Sequence, residues 1–425
     1  MIKRKLLVSM LIAGGLVAPA AYATNGYFSH GYGAKSEGMG GVGIALPQDA
    51  LAAATNPAGM VMVGDRIDFG LEWFRPSRSS SIIGNAFGAN ATYDGNDKQN
   101  FFIPNFGYNK MMGPDSSLGV SIYGNGGMNT DYATNPYARF GATGNAGVNL
   151  EQLFIAPTWS KKLNASNSIG VALNLAYQRF SAKGIQPFAG FSSAAANGFN
   201  NPGTDSDTGY GLHIGWMGQV SPTVTLGATY QTKTKMGKLS KYSGLFAQQG
   251  SFDIPATYGV GISVKATPAT TVAFDIQRIM YGDVAAIADP ISNLGLGATG
   301  ALGASAGAGF GWGNLTVYKL GVSHQYDSNL TVRAGWTHNN VPYPSTETLF
   351  NILAPGVVKD NVTLGATWKL ANKSEVTVFY MHAFSSTVNG INNVSISPGF
   401  PPAGMGGGLA NNTLSEDSLG ISYGW

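Results

Sequence analysis

From residue 66 onward, apolar residues alternate with small or polar ones. Val362, Leu364, Ala366, Trp368 and Leu370 are interleaved with Thr363, Gly365, Thr367 and Lys369. Ile169, Val171, Leu173, Leu175 and Tyr177 alternate with Gly170, Ala172, Asn174, Ala176 and Gln178, and Val224, Leu226, Ala228 and Tyr230 with Thr225, Gly227 and Thr229. Period two describes a strand with one apolar face. A soluble sandwich would carry charge on the other face, whereas Gly, Thr, Ser, Asn and Gln suit a watery lumen behind a lipid-facing wall.

Segments of this kind predict strands near 66–76, 98–110, 116–132, 146–161, 167–182, 208–221, 222–235, 251–266, 269–282, 314–327, 328–340, 358–371, 373–388 and 413–425. Tight turns are expected around Gly113-Pro114-Asp115, Asn164, Ser221-Pro222, Thr267-Pro268, Asp327-Ser328 and Ala371-Asn372. Between them lie long segments at 77–97, 133–145, 183–207, 236–250, 283–313, 341–357 and 389–412. Short and long connections alternate throughout, as periplasmic turns and external loops do in transmembrane barrels. The expected fold is therefore all-β, a fourteen-stranded antiparallel transmembrane β-barrel over 66–425. It must close, because an open edge in hydrocarbon leaves amides unsatisfied. Leu419, Ile421, Tyr423 and Trp425 alternate to an aromatic last residue, which resembles the assembly signal of bacterial outer-membrane barrels and implies the barrel-assembly machinery as a partner.

Residues 24–65 do not alternate. They are Gly-rich from Gly26 to Gly43, then suggest a short Ala-rich helix that Asp49 can cap and Pro57 should stop. This stretch predicts a plug inside the barrel, with a periplasmic extension as the alternative.

The first 23 residues add a compartment. Lys3, Arg4 and Lys5 precede an apolar run from Leu6 to Ala18, and Ala21-Tyr22-Ala23 supplies a small-x-small site, the layout of a secretory signal peptide. Cleavage near Ala23 would send the chain out of the cytoplasm, to a bacterial outer membrane. Those three cations account for the whole formal charge of +3, so the mature chain is neutral and no nucleic-acid partner is expected. The 60 glycines in 425 residues are about twice the usual share, and 11% charged residues less than half of it. With no Cys, disulfides, thiolate metal sites and Cys nucleophiles are excluded.

Two motifs are accidental. Gly38-Met39-Gly40-Gly41-Val42-Gly43 has the dinucleotide spacing without the strand and helix it requires. Gly420-Ile421-Ser422-Tyr423-Gly424 has the nucleophile-elbow spacing with one residue left after it. The five His residues lack zinc spacing, and no metal or cofactor is expected. A hydrolase built on His213 is kept as a minor alternative. The informative motif lies inside the third strand, where Gly124, Asn125, Gly126 and Gly127 remove side-chain packing and predict a bulge or kink that could open the wall. A harmless Gly-rich strand is the alternative.

The chain resembles the FadL/TodX (OmpP1) family of outer-membrane channels for long-chain fatty acids and aromatic hydrocarbons. The resemblance rests on the run from Gly31-Tyr32-Gly33-Ala34-Lys35 to Gly40-Gly41, and on the Asn56, Pro57, Ala58 turn. Phe252-Asp253-Ile254-Pro255, Tyr318-Lys319-Leu320-Gly321-Val322 and Tyr380-Met381-His382 add to it. It implies that 24–65 is a hatch and that the third-strand kink is a lateral gate. It further implies passive uptake of hydrophobic molecules: capture by external loops, binding in the lumen, sideways release. Phe188, Phe191 and Phe199 in one loop, and Leu294, Leu296 and Phe310 in another, are the expected capture residues, since exposed apolar patches mark binding surfaces. Fatty-acid members hold the carboxylate with basic lumenal groups. Lys183 lies near one such position and Leu315 replaces the other, which favours neutral hydrophobes. Outer-membrane lipid and lipopolysaccharide are the expected surroundings, and a monomer the expected state. A polar-solute porin is the alternative function, with an adhesin less favoured.

Overall fold

The computed structural model describes residues 24–194, 198–391 and 405–425; the expected signal peptide lies outside them. Fourteen strands form the wall. They are β1 Arg66–Ile83, β2 Phe101–Met111, β3 Ser116–Tyr132, β4 Ala146–Lys162, β5 Asn167–Lys183, β6 Asp205–Ser221, β7 Val224–Gln231, β8 Thr257–Lys265, β9 Thr270–Ile279, β10 Leu315–Gln325, β11 Leu330–Asn339, β12 Asp360–Lys369, β13 Glu375–Val388 and β14 Leu409–Gly424. Each pairs antiparallel with its chain neighbours, and β1 pairs with β14 from Asp68↔Gly424 to Ile83↔Leu409, which closes the barrel. Two short strands, Ala91–Asp94 on β1 and Lys235–Met236 on β6, lie in long connections.

The alternation is oriented as lipid demands. In β12, Val362, Leu364 and Trp368 face outward and are exposed, while Thr363 and Thr367 point inward and are buried. Exposed aromatics mark both ends of the wall: Tyr108, Trp159, Trp368, Tyr423 and Trp425 toward the short turns, Tyr210, Tyr258, Tyr318 and Trp336 toward the long loops.

The first strand runs past its expected end at residue 76. Odd-numbered residues of β1 bond to β14, as Ile67 and Trp425 do in both directions. Pro76 therefore turns its missing N–H toward the β2 side, beyond the last β2 rung at Phe74↔Phe101. The strand continues at no hydrogen-bonding loss.

The lumen is not simply watery. Residues 24–63 are almost all buried and bond to strands around the wall: Ala50 N–H to Asp68 of β1, Val61 N–H to Ser160 of β4, Gly43 and Ile44 N–H to Asp275 of β9, Gly40 N–H to Thr363 of β12. Inward-facing glycines make room for this backbone. A Cβ on Gly170, Gly227 or Gly335 would stand 2.1–2.3 Å from backbone atoms of Pro57, Ile44 or Gly40. The Gly excess in the strands is thus partly a fitted seat for the segment inside.

Candidate functional site

Among the described residues, the wall is interrupted between β2 and β3. β2 and β3 pair only from Met111↔Ser117 to Phe106↔Ile122. Beyond Ile122, ten consecutive residues of β3, 123–132, are buried on both faces, so the strand has left the lipid surface. The turn inward coincides with a bulge: Gly124 pairs with Leu153 and Gly126 with Gln152, leaving Asn125 as an extra residue. The four residues singled out in the sequence are thus the bend itself.

The orphaned edge of β3 is taken up by the interior segment. Gly127 N–H donates to Tyr27 O at 2.9 Å, Ser29 N–H donates to Asn125 O at 3.2 Å, and Phe28 bridges Gly126. A Cβ on Gly126 would stand 2.0 Å from Tyr27 O. Gly126 therefore serves a close backbone approach, which its sequence context did not announce. Pro104 on the facing strand is the signal that sequence reading missed. Odd residues of β2 bond to β1, so Pro104 directs its donorless nitrogen into the interruption, one rung beyond Phe106. Above the interruption, residues 95–97 close the wall, with Gly95 N–H on Arg78 O and Asp131 N–H on Gly95 O.

The Asn-Pro-Ala turn anchors the interior segment to the neighbouring strands β4, β5 and β6. Asn56 Nδ2 donates to Ile44 O at 2.7 Å and Trp216 O at 3.1 Å, while its Oδ1 accepts Ala58 N–H at 3.1 Å. Ala58 O accepts the hydroxyls of Ser160 and Ser168. Pro57 does not stop a helix: it opens the 3-10 turn Pro57–Met62, with Asn56 as its cap. Asp49 accepts Leu51 N–H at 2.9 Å ahead of the separate turn Ala52–Ala54. Burial, reinforced by the nearby Asp68 carboxylate, pushes Asp49 up to about 6. At the same end Lys35 Nζ meets Glu375 at 2.5 Å, and Arg66 bonds both Glu375 (2.8 Å) and Asp68 (2.7 Å).

Two cavities lie between the long loops and the interruption. The outer one is lined by Phe180, Phe188, Phe199, Phe246, Phe310 and Phe350 among aliphatic neighbours, with no charged side chain. The inner one lies beside the bend and is lined by Phe74, Arg78, Met128, Trp312 and Leu414 among others. Residues 350–356 separate them, giving Phe350 and Leu353 to the outer cavity and Ala354, Pro355 and Gly356 to the inner. The partition hangs on β3, through Thr130 Oγ1 to Leu353 O at 2.8 Å and Tyr132 hydroxyl to Ile352 O at 2.7 Å.

Of the six loop residues expected to capture ligand, Phe188, Phe199 and Phe310 line the outer cavity. Phe191 and Leu294 are partly buried against the hydrophobic core without lining the cavity, and Leu296 is exposed. The expectation of an outward apolar patch over 283–313 is thereby corrected. Ile287, Ile291 and Leu302 are buried because the loop folds back, with Ile291 N–H on Glu347 at 2.8 Å and Trp312 N–H on Ile287 O. Lys183 is spent on Asp131 at 2.9 Å, and Leu315 is fully buried. The cation that does reach a cavity, Arg78, escaped sequence reading. Its guanidinium is bonded to Asn129 O and Oδ1, Asn96 Oδ1 and Lys98 O. His213 is buried against Thr229 Oγ1 at 2.6 Å.

A family model for outer membrane protein transport proteins (OMPP1/FadL/TodX) matches residues 15–399. Among curated sequences none matches the chain significantly. Among solved structures, the Pseudomonas putida toluene transporter TodX superposes with a TM-score of 0.69 at 17% identity, covering 93% of this chain and 98% of that one. A Pseudomonas aeruginosa FadL homologue gives 0.70 at 14%, covering 94% and 99%, and the Ralstonia pickettii toluene transporter TbuX 0.63 at 16%, covering 93% and 98%. At these identities the structures establish the shared fold.

Proposed function

The chain belongs to the OMPP1/FadL/TodX family of outer-membrane transport proteins, and from that premise we propose that it carries hydrophobic small molecules passively across the outer membrane. The cargo, long-chain fatty acids or aromatic hydrocarbons, is captured in the outer cavity and passed behind residues 350–356. It leaves sideways where β3 parts from β2.

The observation that carries this reading is the adjacency of an apolar cavity, a second cavity lined in part by β3, and the interruption of the β ladder on that strand. A lipid-soluble molecule gains by transfer from water into the outer cavity, at roughly 25 cal/mol per Å² of apolar surface buried. It then meets an opening toward hydrocarbon rather than toward water, so release needs no energy source. The hatch role of 24–65 fits the same scheme, because its first residues hold the free edge of β3.

Within that class the structure favours neutral hydrophobes. The outer cavity offers a carboxylate no partner, and a buried, unpaired charge is costly. Arg78 in the inner cavity already donates to four oxygens. The test is uptake of labelled toluene and labelled oleate by cells that depend on this chain, with identification of any co-purified ligand. Faster toluene uptake and a neutral ligand support the reading. Large, steady conductance in planar bilayers would instead identify an open polar pore.

A further inference from the structure

The outside of the wall carries a groove that begins one strand away from the interruption, where Ile155 and Leu153 of β4 pair with Ile122 and Gly124 of β3. On β4–β6, Ile155 pairs with Leu175 and Leu175 with Tyr210; Tyr210 pairs in turn with Lys235 of the short strand Lys235–Met236. These four side chains are exposed on the lipid-facing side. Together with Leu153 and Tyr177, one level toward the long loops, they line an open space of about 1140 Å³.

Lysine in this row needs a reason. Cations on the lipid face of a barrel are costly except near the interfaces, and a lysine stem covers apolar surface while its ammonium seeks polar groups. Lys235 stands where the apolar face gives way to the long loops, and Lys238, also exposed, follows it. Among the described residues neither has a carboxylate within ion-pair distance, whereas Lys233 is paired with Asp253 at 3.5 Å and Lys241 is held by Thr204 O at 2.8 Å. Asp207 lies against Gly237 and accepts Thr208 N–H, without reaching either free lysine. An apolar trough ending under two unpaired cations matches an amphiphile with an acyl chain and an anionic head.

We propose that this groove is a binding site for a phosphate-bearing lipid of the outer leaflet. One acyl chain lies along Ile155, Leu175 and Tyr210, and the phosphate is held by Lys235, with Lys238 beside it. A charge-assisted bond from ammonium to phosphate separates this from ordinary lipid contact, since a bare annulus would not distinguish headgroups. The inference does not depend on what the channel carries.

The experiment uses the full chain purified in a neutral detergent. Native mass spectrometry measures retention of two probes, diphosphorylated lipid A and the same lipid with its phosphates removed. The wild type should retain one molecule of the first and about tenfold less of the second. Lys235→Gln combined with Lys238→Gln should lower retention of the phosphorylated lipid by about tenfold, and Leu175→Trp, which fills the trough, should lower retention of both. Heat-modifiable migration reports that each barrel is folded, and hydrocarbon uptake, read in parallel, should stay at the wild-type rate. Equal retention of the two probes, retention of neither, or a lysine variant that binds as the wild type does would overturn the site.

Discussion

The carbonyl of Tyr27 accepts the backbone N–H of Gly127 at 2.9 Å, so the last residue of the bend in β3 and the start of the interior segment complete one ladder. With β2 no longer alongside, an edge at this depth must find partners within the protein. Tyr27, Phe28 and Ser29 are those partners, and any movement of the segment exposes the edge. The interior segment and the bend are thereby one hydrogen-bonded unit.

Gly126→Val tests that unit. Its Cβ would stand 2.0 Å from Tyr27 O, and overpacking of this kind costs about 1–3 kcal/mol. Residues 27–29 should be displaced from β3 while the barrel stays folded. Hydrocarbon uptake should change by about tenfold or more, with binding to the purified protein in the outer cavity retained. Hydrogen exchange at residues 27–29 should rise in step. Uptake and exchange at wild-type levels would dissociate the bend from transport.

Asn56→Ala removes the cap of Pro57–Met62 and the donors to Ile44 and Trp216. Losing a buried side chain that satisfies other groups costs about 1–3 kcal/mol for each one left unpaired. The cost should fall on the interior segment, not on the wall. Limited proteolysis within 24–65 should accelerate, and thermal unfolding of the barrel should stay near wild type. A lowered barrel melting temperature with a protected segment would contradict this division.

Glu375→Gln probes the ion cluster at the same end. Lys35 and Arg66 both lean on this one carboxylate, at 2.5 and 2.8 Å. Removing one member of a mostly buried pair strands the others, at a cost of up to about 3 kcal/mol. The segment should loosen at Ala34–Glu37, and the double variant with Lys35→Met should recover part of the loss. Absence of recovery would mean that Arg66, not Lys35, carries the coupling.

Much of the fold was legible in the chain because lipid enforces it. A strand cannot present Thr363 or Asn174 outward without cost, so period two could be read directly, and alternating connection lengths then set the strand number. Pro76 sits inside β1 without harm because a proline in a strand matters only on the side that has a neighbour. Pro104 was passed over for the same reason in reverse: its meaning depends on β3 leaving, a tertiary event. The glycines at 124–127 were legible as a kink, but that Gly126 admits Tyr27 was not, since a hundred residues separate them. Phe188 and Phe310 could be picked out as apolar residues in polar surroundings. That they meet Phe350 in one cavity depends on how three loops fold over each other, and Leu296, equally apolar, ends outside it. Arg78 was hidden in a polar stretch whose burial only the neighbouring loop explains.

The outer cavity offers the most direct discrimination between cargoes. Phe188 packs edge-on to Phe350 at 5.2 Å and to Tyr137 at 5.0 Å between ring centroids, so its ring both lines the cavity and braces the partition toward the inner one. Phe188→Ala enlarges the cavity and removes aromatic contact, each such pair contributing about 0.5–1.5 kcal/mol beyond area burial. Binding of a neutral aromatic should weaken by about tenfold. Phe188→Lys is the sharper variant, because it places a cation in a chamber that has none. If cargo is neutral, this substitution should abolish hydrocarbon uptake and give oleate no advantage beyond what the lysine itself confers on binding. If the native cargo is a carboxylate, oleate uptake should survive or rise while toluene uptake falls. Competition between labelled toluene and unlabelled oleate in both variants separates the two outcomes, with outer-membrane levels of the protein measured to exclude loss of assembly.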